Sequence, residues 1–390
     1  MSLLTSTGRR RPSTASVTVE TITEVEAFRE LREEWTLLLA RSDADCLFLT
    51  WEWLHTWWTH LAADRRLFIV AVRSGGELIA VAPLALTAGR RAGLAPLSSL
   101  TFLGTGSVGS DYLDVIVAQG REAEAYDGLA RGLGAQPFAL QLAQLHRGTS
   151  ATVGLARRLA RRGWQCTERP ADRCPFIALQ GVSWGSYLAS LDGHHRSNWK
   201  RRRANLDKAF AMRFERVETD GERAAALGAF FALHSQRWEG RGGSTAFYSA
   251  SLREFHEAWT RVALDRGWLR FFLMRLDGRP VGAIYGFRYR GTFGFYQTGF
   301  DPAYARHGIG QVMIGLSIKS AIEEGADEYD LLHGTERYKA DWARSMRELS
   351  RIEAYPPSLR GRVHGRLAAL DRRARRVARG ALVGISRWRS

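Results

Sequence analysis

Two similar strand–turn–strand segments, placed half a chain apart, constrain the fold of this 390-residue chain more than any other feature. In each segment, two runs rich in β-branched and aromatic residues flank a tight glycine turn, which is the pattern of a β-hairpin. Gly278 in the second turn stands 202 residues after Gly76 in the first. The four predicted strands cover 67–72, 78–86, 269–276 and 280–290. Duplication of one such unit predicts two tandem α/β modules.

Helical and extended patterns alternate around both hairpins. Apolar residues spaced three and four apart predict helices at 24–40, 51–61, 121–132, 150–163, 183–191, 194–211, 220–238, 249–266 and 309–324. Short apolar runs bounded by turn residues predict further strands at 99–103, 112–117, 138–145, 176–179, 292–300, 328–332 and 349–355. Each module is therefore expected to hold a mixed, mostly antiparallel sheet flanked by helices, an α/β (α+β) fold. The predicted modules span 17–180 and 181–355.

The composition is that of an ordinary globular protein. Hydrophobic residues make up 45% and charged residues 25% of the chain, which excludes a disordered, fibrous or integral membrane protein. The amino terminus lacks the apolar run of a signal peptide, and no apolar stretch approaches the ~18–20 residues that span a bilayer. Three cysteines, none in a CxxC pair, predict neither a disulfide framework nor a metal site. We therefore expect a cytoplasmic protein.

Positive charge is concentrated at the carboxyl end. The chain carries a formal charge of +16, and residues 360–390 contain ten arginines against one acid, Asp371. An apolar stripe runs along the same segment at helical spacing, through Leu359, Val363, Leu367, Leu370, Ala374 and Val377. We expect residues 356–390 to form a basic amphipathic helix that binds an anionic membrane surface. A helix that binds nucleic acid and a solvated tail without a partner are the alternatives. Residues 1–16 are expected to be a disordered arm.

A glycine-bearing loop at 304–311 lies between a predicted strand and a predicted helix. Gly308 and Gly310 allow a ligand to approach the backbone closely. The free amides of the first helical turn favour an anion, and a diphosphate is the natural ligand. A connecting loop without a ligand is the alternative interpretation.

This loop resembles motif A of the GNAT acetyltransferase superfamily. Asp301-Pro302, Tyr304, Gly308 and Gly310 match that motif in order, whereas the basic residue of the family falls at Ala305. The resemblance implies that the pyrophosphate of acetyl-CoA or another acyl-CoA is bound by Arg306, His307, Gly308, Ile309, Gly310 and Gln311. It also implies two tandem GNAT-like modules and acyl-CoA as a substrate, without a metal ion.

A second sequence element resembles one particular branch of this superfamily. Residues 334–342, GTERYKADW, are similar to an element of the CelD/BcsL-like branch, which is linked to cellulose and exopolysaccharide biosynthesis. The segments 48–58, 110–117 and 196–209 also resemble that branch. In that branch, which is distantly related to the Fem aminoacyltransferases, the second module is the active one. The resemblance covers about residues 20–355.

The resemblance implies acyl transfer to an amine or hydroxyl of a small molecule, saccharide or lipid-linked precursor. Tyr338 is expected to protonate the leaving thiolate, and Lys339 to bind a phosphate or polarise a carbonyl. Glu336, Tyr296 and Asp330 are further acid–base candidates. A basic helix is expected to steer an anionic substrate or the CoA 3′-phosphate, or to be merely solvated, and its cations are Arg196, Lys200, Arg201, Arg202, Arg203 and Lys208.

Two other functions are left open by the sequence. One is a Fem-like transferase that takes aminoacyl-tRNA, the one nucleic acid that this chain is expected to bind. The other is a non-catalytic protein that keeps the fold, which the alanine at position 305 suggests. A hydrolase is disfavoured although Gly181–Gly185 matches GxSxG and Asp330 and His333 follow in hydrolase order, because hairpins replace the βαβ units of that fold.

Overall fold

The computed structural model of the chain describes residues 16–89, 97–239 and 249–387, with side chains up to 374 in the last helix. The predicted arm lies outside the described residues except for Ser16. The strands are Val17–Ile22 (β1), Arg66–Ser74 (β2), Glu77–Thr87 (β3), Ser99–Phe102 (β4), Ile116–Val117 (β5), Ala139–His146 (β6), Gln165–Ala178 (β7), Met212–Arg216 (β8), Leu269–Leu276 (β9), Arg279–Tyr289 (β10), Thr292–Phe300 (β11), Glu328–Asp330 (β12) and Ser345–Tyr355 (β13).

Helices cover both faces of the sheet that these strands form. They are Val25–Glu30 (α1), Arg32–Leu39 (α2), Trp51–Leu61 (α3), Glu122–Gly134 (α4), Ala151–Arg161 (α5), Trp184–Ser190 (α6), Gly193–Ala209 (α7), Asp220–Glu239 (α8), Ala250–Asp265 (α9), Ile309–Glu323 (α10), Arg337–Trp342 (α11) and Leu359–Arg387 (α12). The predicted helix over 24–40 is divided at Leu31 into α1 and α2.

The predicted duplication is present in the sheet. In the first module β2, β3 and β4 form an antiparallel meander, and β4 pairs in parallel with β6 after α4. In the second module β9, β10 and β11 form the same meander, and β11 pairs in parallel with β12 after α10. Each parallel pair encloses one crossover helix, as parallel strands require. The predicted mixed α/β fold of two tandem modules is confirmed.

The two modules exchange their last strands. β7, from the first half of the chain, pairs with β12 of the second module, and β13, from the end of the second half, pairs with β6 of the first. β7 and β13 also pair with each other, antiparallel, from Phe176 opposite Ser345 to Gln165 opposite Tyr355. The result is one continuous sheet that runs through both modules.

Four strands differ from the sequence prediction. β7 has 14 residues where only 176–179 was predicted, because its first half is a half-exposed run rich in charged residues and holds Pro170. β1 and β8 are short edge strands with mostly exposed side chains, so neither has the apolar run that marks a buried strand. Conversely, only Ile116–Val117 of the predicted strand at 112–117 pairs.

The tryptophan-rich helix α3 joins the cores of the two modules. Trp53 is fully buried, and its ring lies 4.8 Å from that of Trp259 and 5.2 Å from that of Phe255, both on α9 of the second module. The buried tryptophans of α3 are Trp53 and Trp57, whereas Trp51 and Trp58 are only half-buried. Large apolar rings in edge-to-face contact stabilise this junction.

Helix α12 packs on β13 by one face only. His364 is buried, and Arg372 pairs with Glu353 of β13 at 2.6 Å. The predicted apolar stripe points away, since Leu359 is 80% exposed, Leu370 62% and Val363 38%. None of the helices within the described residues combines the length and apolarity required to span a bilayer.

Candidate functional site

The second module contains a cavity where two parallel strands separate. β11 and β12 are in register only at Thr292–Gly294 opposite Glu328–Asp330. Beyond that point Tyr296 is an extra residue in the β10–β11 register, a β-bulge, and Leu332 adopts a positive φ of 56°. Bulges bend a strand away from its neighbour. The gap is a cavity of about 200 Å³ that is lined by residues 295–298 of β11 and by residues of the segment 331–339.

The glycine loop lies between β11 and α10, at the end of the diverging strand. Asp301 accepts a hydrogen bond from the amide of Ala303 and begins a six-residue 3₁₀ helix, Pro302–His307. Gly308 then adopts the left-handed conformation, with φ 68° and ψ 31°, and α10 begins at Ile309. The first amides of an α-helix have no carbonyl four residues earlier. Here the amide of Gly308 donates to the carbonyl of Ala305 at 2.9 Å and that of Gln311 to the carbonyl of Gly308 at 3.0 Å. The amides of Ile309 and Gly310, which have no partner within the described residues, are the ones available for an anion.

Arg202 of the basic helix α7 lies directly over this loop. A Cβ atom added to Gly308 would lie 2.6 Å from Nη1 and Cδ of Arg202. Helix α7 is held against α10 because Trp199 and Leu206 are buried in the core that also contains Val312 of α10. Within the described residues, the structure shows no hydrogen bond or ion pair of Arg202. The contact brings a guanidinium to the N-terminus of α10.

The other predicted loop residues are arranged around the same turn. Arg306 is exposed, and its Nε donates to Nε2 of His307 at 3.2 Å. Ile309 is fully buried. Gln311 accepts a hydrogen bond from Trp342 Nε1 at 2.8 Å, which connects α10 to α11.

All four predicted catalytic residues line the cavity. Lys339 is buried, and its ammonium donates to the carbonyl of His333 at 2.6 Å and pairs with Glu336 at 3.1 Å. Gly334 has a φ of 120°, and a Cβ there would lie 2.3 Å from the carboxylate of Glu336. These contacts hold the turn between β12 and α11. Half-buried Tyr338 follows on α11.

Tyr296 is the predicted candidate that is most enclosed. Its hydroxyl donates to the backbone carbonyl of Val108 in the first module. Burial raises the pKa of this phenol well above its ordinary value. The side chain therefore stays neutral and ties the bulge of β11 to the first module.

An aspartate–histidine pair that was not predicted from the sequence also lies at this cavity. Nδ1 of His333 lies 2.9 Å from Oδ1 of Asp111, a fully buried residue of the first module, and the imidazole lines the cavity. The hydrogen bond to Asp111 raises the pKa of His333. The two residues are 222 positions apart, so no local pattern could have joined them.

A larger cavity of about 630 Å³ lies between the first module and the paired ends of β11 and β12. Asp330 lines it, and burial raises the pKa of this carboxyl to about 7, although the hydrogen bond from Tyr112 at 2.6 Å lowers it. Arg347 joins Asp330 to Glu328. Leu332 lines both cavities, so they approach each other at the point where β11 and β12 separate.

Comparisons with known proteins agree with this geometry. Residues 193–340 match the family model of the acetyltransferase (GNAT) domain. The crystal structure of FemX superposes with a TM-score of 0.59 and 13% identity, covering 85% of this chain and 96% of that chain. A conserved protein of unknown function from Bacteroides thetaiotaomicron has a TM-score of 0.53 and 13% identity, with 87% and 99% coverage.

A third similar structure is the C-terminal domain (DUF2156) of a protein assigned as a lysylphosphatidylglycerol synthetase in Agrobacterium fabrum. It has a TM-score of 0.51 and 10% identity, and covers 88% of this chain and 95% of that chain. At such identities these structures share the fold alone, and no curated protein gives a significant sequence match. Residues 193–340 are therefore similar to a GNAT acetyltransferase domain, and they lie in a mixed α/β fold of two similar modules joined by one sheet.

Proposed function

We propose that this protein transfers an acyl group, acetyl first among the candidates, from acyl-CoA to an amine or hydroxyl. The observation that carries the proposal is the divergence of β11 from β12, with left-handed Gly308 and the N-terminus of α10 at the end of β11. An acyl-CoA molecule whose thioester lies in that gap would have its diphosphate at the N-terminus of α10, where backbone amides and the helix dipole stabilise anions.

Arg202 supplies the side-chain cation that Ala305 does not. In this proposal the diphosphate lies at Gly308–Gln311, where the amides of Ile309 and Gly310 donate to it. Arg202 pairs with one of the phosphate oxygens, because the guanidinium already lies over Gly308. Arg306, one residue beyond Ala305, is exposed and can approach the same phosphate from solvent.

The remaining predicted residues act on the acyl group. Tyr338 protonates the thiolate as it leaves, since its phenol lines the cavity between the strands. Lys339, Glu336 and Tyr296 line the same cavity, but their hydrogen bonds to the turn and to Val108 favour a supporting role. The acceptor enters from the larger cavity, whose volume of about 630 Å³ is in the ordinary range for a small-molecule site.

A calorimetric titration of the full chain with acetyl-CoA tests the proposal. We expect saturable binding at one site, displaced by free CoA. Binding without turnover of any acceptor would favour a non-catalytic protein instead. Binding of aminoacyl-tRNA, with no binding of acetyl-CoA, would favour the Fem-like alternative.

Arg202→Ala is expected to weaken acetyl-CoA binding roughly tenfold, since a hydrogen bond to a charged group contributes about 1.5–3 kcal/mol and tenfold is about 1.4 kcal/mol. The matched control is Arg201→Ala, which removes an exposed arginine from the same helix and should leave the dissociation constant within about twofold of the wild-type value. Equal effects of the two substitutions would assign α7 a general electrostatic role only.

Helix α12 is proposed to bind an anionic membrane surface. Lipid-linked saccharide precursors, which the CelD/BcsL resemblance suggests as acceptors, would be found at such a surface. Leu359, Val363 and Leu370 are exposed on a helix whose segment carries ten arginines. Apolar side chains beside cations favour insertion at the headgroup level of anionic bilayers. The fold is also shared by a protein named for a lipid product.

The triple variant Leu359→Gln, Val363→Gln and Leu370→Gln should lose at least about tenfold of its affinity for phosphatidylglycerol vesicles in a flotation assay. The packed face of α12 is untouched, so the fold is retained. The control Leu37→Gln with Met346→Gln removes other exposed apolar side chains and should bind as the wild type does. Unchanged flotation of the triple variant would contradict the membrane proposal.

A further inference from the structure

The pair formed by Asp111 and His333 connects the two modules at the cavity between β11 and β12. Asp111 is fully buried, and its carboxylate lies 2.9 and 3.0 Å from Nδ1 of His333. It also accepts the backbone N–H of His333 at 2.9 Å and a hydrogen bond from Gln144 at 3.3 Å. One carboxylate therefore fixes both the backbone and the ring of the histidine.

His333 lines the cavity, and its ring contacts Asp111 through Nδ1 alone. Because Nδ1 bonds to a carboxylate, it carries the proton, and Nε2 keeps its lone pair. Nε2 has no hydrogen-bond partner within the described part of the chain, and the side chain is 38% exposed. Lys339 holds the carbonyl of His333. The nitrogen is thus fixed in position and able to accept a proton.

We propose that His333 is the general base of the transfer and that Asp111 is the residue that positions it. This inference rests on the acyl-CoA-dependent function proposed above. A histidine held by a buried carboxylate, with its free nitrogen in a cleft, is the arrangement that general base catalysis requires. The active site is then built from both modules.

Nε2 of His333 takes a proton from the acceptor as the acceptor nitrogen or oxygen attacks the thioester carbonyl. The new bond to the acyl carbon forms and the carbon–sulfur bond breaks, and the thiolate takes a proton from Tyr338. The imidazolium then returns its proton to solvent and the Tyr338 phenolate takes one back from solvent, while Asp111 stabilises the imidazolium without itself being protonated.

The charges around His333 determine the pH range of this base. The hydrogen bond to Asp111 raises the pKa of His333, burial lowers it, the carboxylate of Asp172 raises it, and the ammonium of Lys339, which is paired with Glu336, lowers it. The net direction is above the ordinary histidine value. Activity should therefore rise as the pH passes through the raised pKa of His333, and it should stay constant at higher pH.

The test uses hydroxylamine as acceptor, because it is small enough to enter without a matched pocket, and measures thiol release from acetyl-CoA between pH 5 and 9. His333→Asn keeps a donor to Asp111 but removes Nε2, and should lower the plateau rate 100-fold or more. Asp111→Asn should lower the plateau and move the acidic limb to lower pH. Gly308→Asp provides the blank for uncatalysed reaction.

Asp172→Asn is the matched control for charge. Its carboxylate acts on His333 only through space, so it should move the limb by less than Asp111→Asn and leave the plateau near the wild-type rate. Titration of the wild type and of every variant with acetyl-CoA separates the proposed acyl-CoA function from the proposed role of His333. Failure of the wild type to bind acetyl-CoA would refute the acyl-CoA function. Intact binding with an unchanged rate in His333→Asn, an unmoved limb in Asp111→Asn, or no turnover by the wild type would overturn the assignment of the base.

Discussion

Gly308→Asp is expected to abolish measurable binding of acetyl-CoA, with a loss of at least about 100-fold in affinity. Gly308 is in the left-handed conformation, which aspartate tolerates better than most residues, so the fold should survive. The new carboxylate would stand where the diphosphate must bind and would pair with Arg202. At an effective dielectric constant of about 20, two like charges 4 Å apart repel by about 4 kcal/mol, close to three orders of magnitude.

Gly308→Asn is the control because it has the same shape without the charge. An added Cβ meets the flexible end of Arg202, which can move, so the asparagine variant should retain affinity within roughly tenfold of the wild type. Calorimetry on both variants, with thermal unfolding to check the fold, decides the matter. If Gly308→Asp bound acetyl-CoA with the wild-type affinity, the diphosphate could not bind at this loop.

The second half of the chain, residues 181–390, is expected not to fold when it is expressed alone. It would lack β7, which pairs with both β12 and β13. It would also lack Trp53, whose ring packs against Trp259, and Asp111 beneath His333. Loss of paired neighbours leaves open strand edges and exposes buried apolar surface. The fragment should be insoluble or lack a cooperative thermal transition.

Co-expression of residues 1–180 with residues 181–390 is the informative comparison. If strand exchange is what holds the modules together, the two fragments should associate and recover both cooperative unfolding and acetyl-CoA binding. A soluble second half that unfolds cooperatively and binds acetyl-CoA by itself would show that the exchange is dispensable for its stability.

The sequence predicted the local features of this protein well. The duplicated hairpins and the glycine loop are each set by residues close together in the chain, so periodicity and turn chemistry were sufficient to locate them. The four predicted catalytic residues also lie together, because three of them follow one strand and Tyr296 is on the adjacent strand.

What the sequence could not supply are contacts between distant segments. Arg202 meets Gly308 through the packing of α7 on α10, and Asp111 meets His333 across 222 residues. From the sequence alone, the basic residues of α7 are also compatible with a solvated face. His333 stands out in the sequence only because it follows Asp330 in the order found in hydrolases. Tertiary packing decides such pairs, and no residue pattern within either segment records it.

The exchange of strands also has a consequence for the newly made chain. β6 is complete at His146, whereas its partner β13 begins at Ser345. At ~5–20 residues per second, a ribosome needs roughly 10–40 s to make the residues between them. Throughout that interval the edge of β6 that later pairs with β13 has unpaired amides and carbonyls. Chaperones that shield such strand edges should therefore associate with the translating ribosome until β13 has left the exit tunnel.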